Sequence, residues 1–403
     1  MGTKSASNLN HSNNPIVSHI ALKHSQNNAN VYVDTTQKEV ELQEIKNIHA
    51  SPLNRMDGIG FVRVVLHESH ASFMHKTDWH FASSNLKRID VIDDYTKNTM
   101  TRDIRTGDML QISKEGHHEG EVQESNVNPH QEMLELDERM PETADKCDAE
   151  TGGNHDDSEL AARLKDTYLK PLQYLCEKYG IPYFSNGVII EYVLPVMKNG
   201  KCYGYESFYV VALHCSGKTS NKKLDSVKKT YEQGMGLVNK FNEAHGTHIV
   251  PNMILGGHYH ANADCDFAHE VTTYDKNGLA IGTYVQTIMV RNGSDMADKN
   301  AGSFLRNFTD RHIPNVTQYD IHFEINNAFD PYATNKRPPV VPIVTEFQVL
   351  NDQGELSIKA KEYMEHRRDL SAQEIQELHQ QYKESEPKEM LEIIGTKMEG
   401  LTK

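Results

Sequence analysis

Apolar and polar positions follow two rhythms along this chain. An alternating rhythm predicts strands at Phe61-Val62-Arg63-Val64-Val65-Leu66 and around Ala71 to Met74, the latter running into Lys76-Thr77-Asp78-Trp79-His80-Phe81. Period-two alternation then places Asp78 and His80 on one face at a strand's carboxyl end. Further strands are predicted over 187–196 and 202–213, joined by the turn signal Asn199-Gly200 as a hairpin that delivers His214. Residues 248–255 read as a strand entering Gly256-Gly257-His258-Tyr259-His260, whose glycines permit an unusual backbone from which both imidazoles reach one site. Another hairpin is predicted around Asp275-Lys276-Asn277-Gly278, and a late strand over 340–350.

A helical rhythm marks residues 158–178, which Pro171 kinks or splits, and residues 220–245, whose polar positions carry Lys222, Lys223, Lys228, Lys229 and Lys240. That basic face reads as solvated, with a phosphate-attracting wall as the sharper alternative. Residues 85–97 suit a short helix or a strand. From Lys359 onward the pattern is helical, with Ser371 and Glu374 forming a capping box. The amino-terminal 1–14 reads as a disordered tail, 15–350 as one large domain, and 351–403 as a helical extension.

Charge changes this picture in one place. The net charge is −15 over 403 residues, and residues 112–150 hold twelve acidic side chains against Lys114, Arg139 and Lys146. This stretch predicts an acidic surface insertion, and the overall balance disfavours non-specific binding to a nucleic-acid backbone. Five cysteines without a CxxC pair argue against a disulfide framework or a thiolate zinc site. With no apolar run of membrane-spanning length and no apolar leader, a cytoplasmic protein without membrane contact is expected.

The candidate chemistry lies where strands end. Asp78, His80, Asp108, Asn154, His214, His258 and His260 form an oxygen and nitrogen donor set that suits two adjacent divalent transition metals, Mn above all, with Fe or Zn as alternatives. Asp108 follows Gly107, but the approach over 100–105 is polar where a buried strand is ordinarily apolar. Beside Asn154 stand His155, able to protonate a leaving group, and Asp156, able to fix the imidazole's tautomer. The residues after Asp156 begin a helix whose free amides would face a bound anion.

Asp78-Trp79-His80, Gly107-Asp108, Gly153-Asn154-His155-Asp156, His214 and Gly257-His258-Tyr259-His260, in this order, resemble the signature of the calcineurin-like metallophosphoesterases. The resemblance covers residues from about 60 to 290. It implies an α/β (α+β) fold, a four-layer αββα double β-sandwich, here with an acidic insertion and a helical carboxyl-terminal extension. It further implies one metal held by Asp78, His80, Asp108 and His260 and a second by Asp108, Asn154, His214 and His258. His155 would serve as proton donor oriented by Asp156, and a metal-bridging hydroxide would attack phosphorus. Lys76-Thr77-Asp78-Trp79-His80 looks most like the repair-exonuclease and bacteriophage phosphoesterase branches, which implies a phosphodiesterase acting on nucleotides or nucleic-acid ends. A phosphomonoesterase is the alternative enzyme. A non-catalytic assembly protein is the alternative class, and the terminal extensions would then supply its contacts or an oligomer interface.

Overall fold

The computed structural model describes residues 29–33, 59–65, 70–81, 86–99, 101–111, 129–158, 170–198, 201–217, 223–260, 263–274, 279–293, 319–324, 343–351 and 355–366. The fold is mixed α/β, and its described residues form two sheets. The larger runs, in spatial order, β1 (Ala29–Val33), β2 (Ile59–Val65), β7 (Gly187–Lys198), β8 (Lys201–His214), β9 (Met253–Gly257), β11 (Ala280–Asn292) and β10 (Ala263–Tyr274). The smaller runs β13 (Ile343–Gln348), β12 (Tyr319–Glu324), β3 (His70–Lys76), β4 (Arg102–Arg105), β5 (Cys147–Thr151) and β6 (Tyr183–Phe184). The β7–β8 hairpin pairs Lys198 with Lys201 across the predicted turn, and β10 pairs antiparallel with β11 as the second predicted hairpin.

Strands β3, β4, β5 and β6 are parallel neighbours, and so are β8 and β9, in which His214 lies opposite Gly257. Val62, Phe73, Ile104, Val188, Tyr192 and Leu255 belong to one apolar core shared by the two sheets. Ile189 and Val211, one residue out of step, join a second core with Val227, Val238 and Phe241 of helix α4 (Lys223–His245). A strand buried on both faces has no polar side to display, which is why Val188-Ile189-Ile190 is continuously apolar.

The outer face of the smaller sheet is covered by helices α1 (Leu86–Lys97), α2 (Pro129–Arg139), α3 (Pro171–Tyr179) and α5 (Ile358–His366). In α1 the spacing of Ile89, Ile92 and Tyr95 buries one stripe, which settles the helix-or-strand ambiguity. Helix α3 begins at Pro171, where a missing amide costs nothing, and ends at Gly180 in the left-handed conformation, whose amide returns to the Cys176 and Glu177 carbonyls. Pro171 therefore starts a helix; residues 159–169 lie outside the described ones. On α4, Lys228 pairs with Glu232 and Lys229 with Asp225, as a solvated face does. The capping box at Ser371 and residues 1–14 also lie outside the described residues. Among those described, no helix is long and apolar enough to cross a membrane.

The acidic stretch divides in two, and its second half corrects the expectation of a surface insertion. Residues 112–128 lie outside the described residues. Beyond them Leu136 of α2 and Met140 join the core beneath the smaller sheet, and β5 is buried along its whole length. Its charges are met by those of β4, whose polarity had the same cause. Arg102 grips Asp148, which also accepts the Tyr192 hydroxyl, and Arg105 reaches Asp103 at 2.8 Å and Glu150 at 3.8 Å. Two polar strands are thus buried side by side because each supplies the other's counter-charges.

Glu150 is the least well compensated of these groups. Burial pushes its carboxyl well above the ordinary value of 4.5, and Arg105 offsets only part of that. A carboxyl whose folded pKa is raised stabilises below its unfolded pKa, and that stability is lost as pH rises through the folded value. Thermal melts from pH 4.5 upward are therefore expected to fall less steeply for Glu150→Gln than for wild type. Parallel slopes in the two proteins would contradict this account.

Candidate metal centre

The site lies at the carboxyl ends of β3, β4 and β5 in one sheet and of β8 and β9 in the other. Past Lys76 and Arg105 the two parallel chains stay in register without remaining strands: Thr106 donates its amide to the Lys76 carbonyl, Asp78 to Gly107 and His80 to Asp108, at 2.9 to 3.0 Å. The expectation of Asp78 and His80 alternating on a strand face is corrected here. Both lie beyond the strand, and both have positive φ, 50° and 43°. Asp108, His258 and His260 complete the set at 52°, 82° and 45°, and among the described residues these five are the non-glycine positions with positive φ. The glycines before His258 were expected to carry the unusual backbone; the histidines carry it themselves. Such conformations are costly and persist where the surrounding structure enforces them, which marks functional loops.

Close approach of these loops requires glycine, most clearly at Gly153 and Gly107. A Cβ on Gly153 would lie 2.0 Å from the Asp108 Oδ1, and one on Gly107, itself at φ 81°, would lie 2.8 Å from the Gly153 nitrogen. The loops therefore touch backbone to backbone. Across this contact the His155 amide donates to Asp108 Oδ1 at 2.8 Å, and between the loops after β9 and β3 the His258 amide donates to Asp78 Oδ1 at 2.8 Å.

All seven expected ligands are brought together. The donor atoms of Asp78, His80 and His260 lie within 4.8 Å of one another, as do those of Asp108, His214 and His258, and a third overlapping group joins His80, Asp108 and His155. Asn154 Oδ1 is 3.0 Å from His214 Nε2 and 2.8 Å from His258 Nδ1, and Asp108 Oδ2 is 3.1 Å from the same His214 Nε2. The far nitrogen of each imidazole faces a backbone carbonyl: His214 Nδ1 that of Thr106 at 2.8 Å, His258 Nε2 that of Gly217 at 3.2 Å. A carbonyl can only accept, so each ring's proton belongs on that far nitrogen. The near nitrogens then present lone pairs to the Asn154 and Asp108 oxygens, which also present lone pairs. Four acceptors aimed at one point are reconciled by positive charge, a proton on His214 or a divalent cation, and the donor set fits the cation.

The surroundings of His214 draw positive charge: burial works to lower its pKa, yet Asp108 and then Asp78 hold it up at about 10, so the ring takes up a proton that a bound cation would displace. Burial also works against the charge of Asp108, but His214 and His155 hold its carboxyl well below the usual range. His258 is brought down to about 4 and His260 to about 3, chiefly by burial. His80 is pushed far down by burial and then by His155, and both its buried ring nitrogens lack a hydrogen-bond partner. A buried neutral imidazole whose one available lone pair is unengaged is what a metal ligand requires.

His155 stands edge-on to His80, with ring centroids 4.7 Å apart, and its Nδ1 is buried without a hydrogen-bond partner. Asp156 Oδ1 accepts the Leu110 amide at 2.9 Å and its Oδ2 the Gly153 amide at 3.1 Å, so it pins the loop that carries Asn154 and His155. The expected helix start after Asp156 is, among the described residues, a single π-helical turn over Asn154–Ser158. Of the stretch Lys76-Thr77-Asp78-Trp79-His80, which carried the likeness to the exonuclease branches, Lys76 and Trp79 face the core: Lys76 is fully buried between Asp93 and Asp103, and Trp79 packs beneath the smaller sheet.

No protein-family model matches the chain, and comparison with curated proteins finds no relative. The buried aspartate and histidine groups therefore define, by their own chemistry, a site able to bind metal ions.

Proposed function

We propose that this chain is a dimetal phosphoester hydrolase of the calcineurin-like kind, with a helix–sheet–sheet–helix sandwich as its scaffold. The observation that carries this reading is the abutment of two donor groups, Asp78/His80/His260 and Asp108/His214/His258, with the Asp108 carboxylate facing both His80 and His214. Asp78, His80 and His260 would hold one cation, and Asn154, His214 and His258 the other, with Asp108 between them. Two such cations supply charge to neutralise phosphate oxygens and lower the pKa of an attacking water.

The chain's own groups do the rest. Thr106 and Gly217 hold the far-nitrogen protons of His214 and His258, so that the near nitrogens would be the ones to meet a bound cation. His155, at the edge of the group and tied to Asp108 through its backbone, is the proton source for the leaving oxygen. Asp156 holds the turn that presents both Asn154 and His155.

The test is hydrolysis of an aryl phosphodiester and the matching monoester by the full chain loaded with Mn, Fe, Co or Zn. Turnover that disappears on chelation and returns with metal is expected, and the ratio of the two rates assigns the ester class. Folded protein that turns over neither ester with any of the four metals would overturn the reading.

A further inference from the structure

One side chain outside the donor set bridges two of the loops that supply it. Gln233, on helix α4, meets the backbone of Ser216 as a neighbouring strand would: its Oε1 accepts the Ser216 amide at 3.0 Å, and its Nε2 donates to the Ser216 carbonyl at 3.0 Å. The same Nε2 donates to the Tyr259 hydroxyl at 2.9 Å, and that hydroxyl donates to the Ser216 carbonyl, also at 2.9 Å. Ser216 lies two residues after His214, and Tyr259 lies between His258 and His260. Gly217, next along, supplies the carbonyl that sets the His258 tautomer. Helix α4 is packed on the larger sheet through Val227, Val238 and Phe241, so Gln233 is mounted on a rigid element.

We propose that Gln233 is a positioning residue for the cation site formed by Asn154, His214 and His258. It fixes the distance between the loops after β8 and β9, so that both near nitrogens stay on the Asn154 oxygen. Outer partners that orient metal ligands are typically worth about 10–100-fold in metal affinity. The group Asp78, His80 and His260 shares only the His260 end of this clamp, so its cation should depend on Gln233 far less.

The inference rests on the dimetal reading, and the two fail differently. Mn binding to the full chain is followed by the electron paramagnetic resonance of free Mn, which reads affinity without turnover. Wild type is expected to bind in two steps. Gln233→Ala should weaken one step by about 10-fold or more and leave the other within about twofold. Tyr259→Phe, which removes a single hydroxyl, should shift the same step by less. In an Asn154→Ala background, where that step is already lost, adding Gln233→Ala should change the remaining affinity by less than about twofold. Two wild-type steps that Gln233→Ala leaves untouched, or weakens equally, would overturn the positioning role alone. Wild-type protein that binds no Mn would overturn it together with the dimetal reading.

Discussion

Asp108→Asn is expected to lose turnover by about three orders of magnitude and at least one bound cation, while the protein keeps its fold. The substitution is chosen to separate charge from shape. Asparagine tolerates the positive φ of 52° at this position, and its amide oxygen can still accept the His155 amide that Asp108 Oδ1 accepts at 2.8 Å. What disappears is the negative charge. Within the group of Asp108, Asn154, His214 and His258 it is the sole anionic side chain, so a divalent cation there would keep only neutral donors. Metal content per chain by elemental analysis and the rate on an aryl phosphodiester, both on protein with a wild-type circular dichroism spectrum, decide the matter. His155→Asn is the control: it should retain metal and lose about 10²–10⁴-fold in rate, as removal of a proton donor does. Two cations and turnover within tenfold of wild type in Asp108→Asn would remove Asp108 from the centre.

Much of this centre was legible in the sequence because its chemistry is carried by short loops. Each group of ligands sits within a few residues of a glycine or a strand end, so residue type and spacing are enough to name Asp78, His80, Asn154 or His258. The two hairpins were legible for the same local reason. The scaffold beneath was not. Strands β4 and β5 read as polar and insecure because Arg102 finds its counter-charge at Asp148, 46 residues away, and no periodicity shows that. The same count of acids made residues 129–150 look like surface, although Glu132, Asp148 and Glu150 are buried. The hold of Asp156 on the Leu110 and Gly153 amides was not legible either, because its place beside His155 in sequence says nothing of which amides its oxygens meet. The carbonyls of Thr106 and Gly217 leave no trace in residue type at all, and Gln233 gave no signal beyond a polar position on an amphipathic helix.

Asp103→Ala is expected to destabilise the protein by about 3–5 kcal/mol at neutral pH, the cost of stripping one partner from a buried ion pair. Asp103 Oδ2 lies 3.1 Å from Lys76 Nζ and 2.8 Å from Arg105 Nε, and all three side chains are almost wholly excluded from solvent. Without it, Lys76 keeps Asp93 at 3.2 Å, and Arg105 keeps Thr143 at 2.8 Å and the more distant Glu150. The sign with pH follows from Asp103 itself. Burial would raise its pKa, but Arg105 and Lys76 overcome that and hold it below the ordinary 3.8. Its stabilisation is therefore complete above the unfolded pKa and is lost as pH falls through the folded one. Urea unfolding should accordingly show the largest gap between wild type and variant near neutrality, narrowing below about pH 4. A gap under about 1 kcal/mol at pH 7 would mean that the cluster contributes no more than exposed pairs do. The network also lies directly beneath the metal loops, with Lys76 two residues before Asp78 and Arg105 three before Asp108. Because β3 and β4 hold those loops in register, Asp103→Ala should also weaken Mn binding, although Asp103 touches no ligand. A variant that loses stability yet binds Mn as wild type does would show that the loops keep their register without the charges below them.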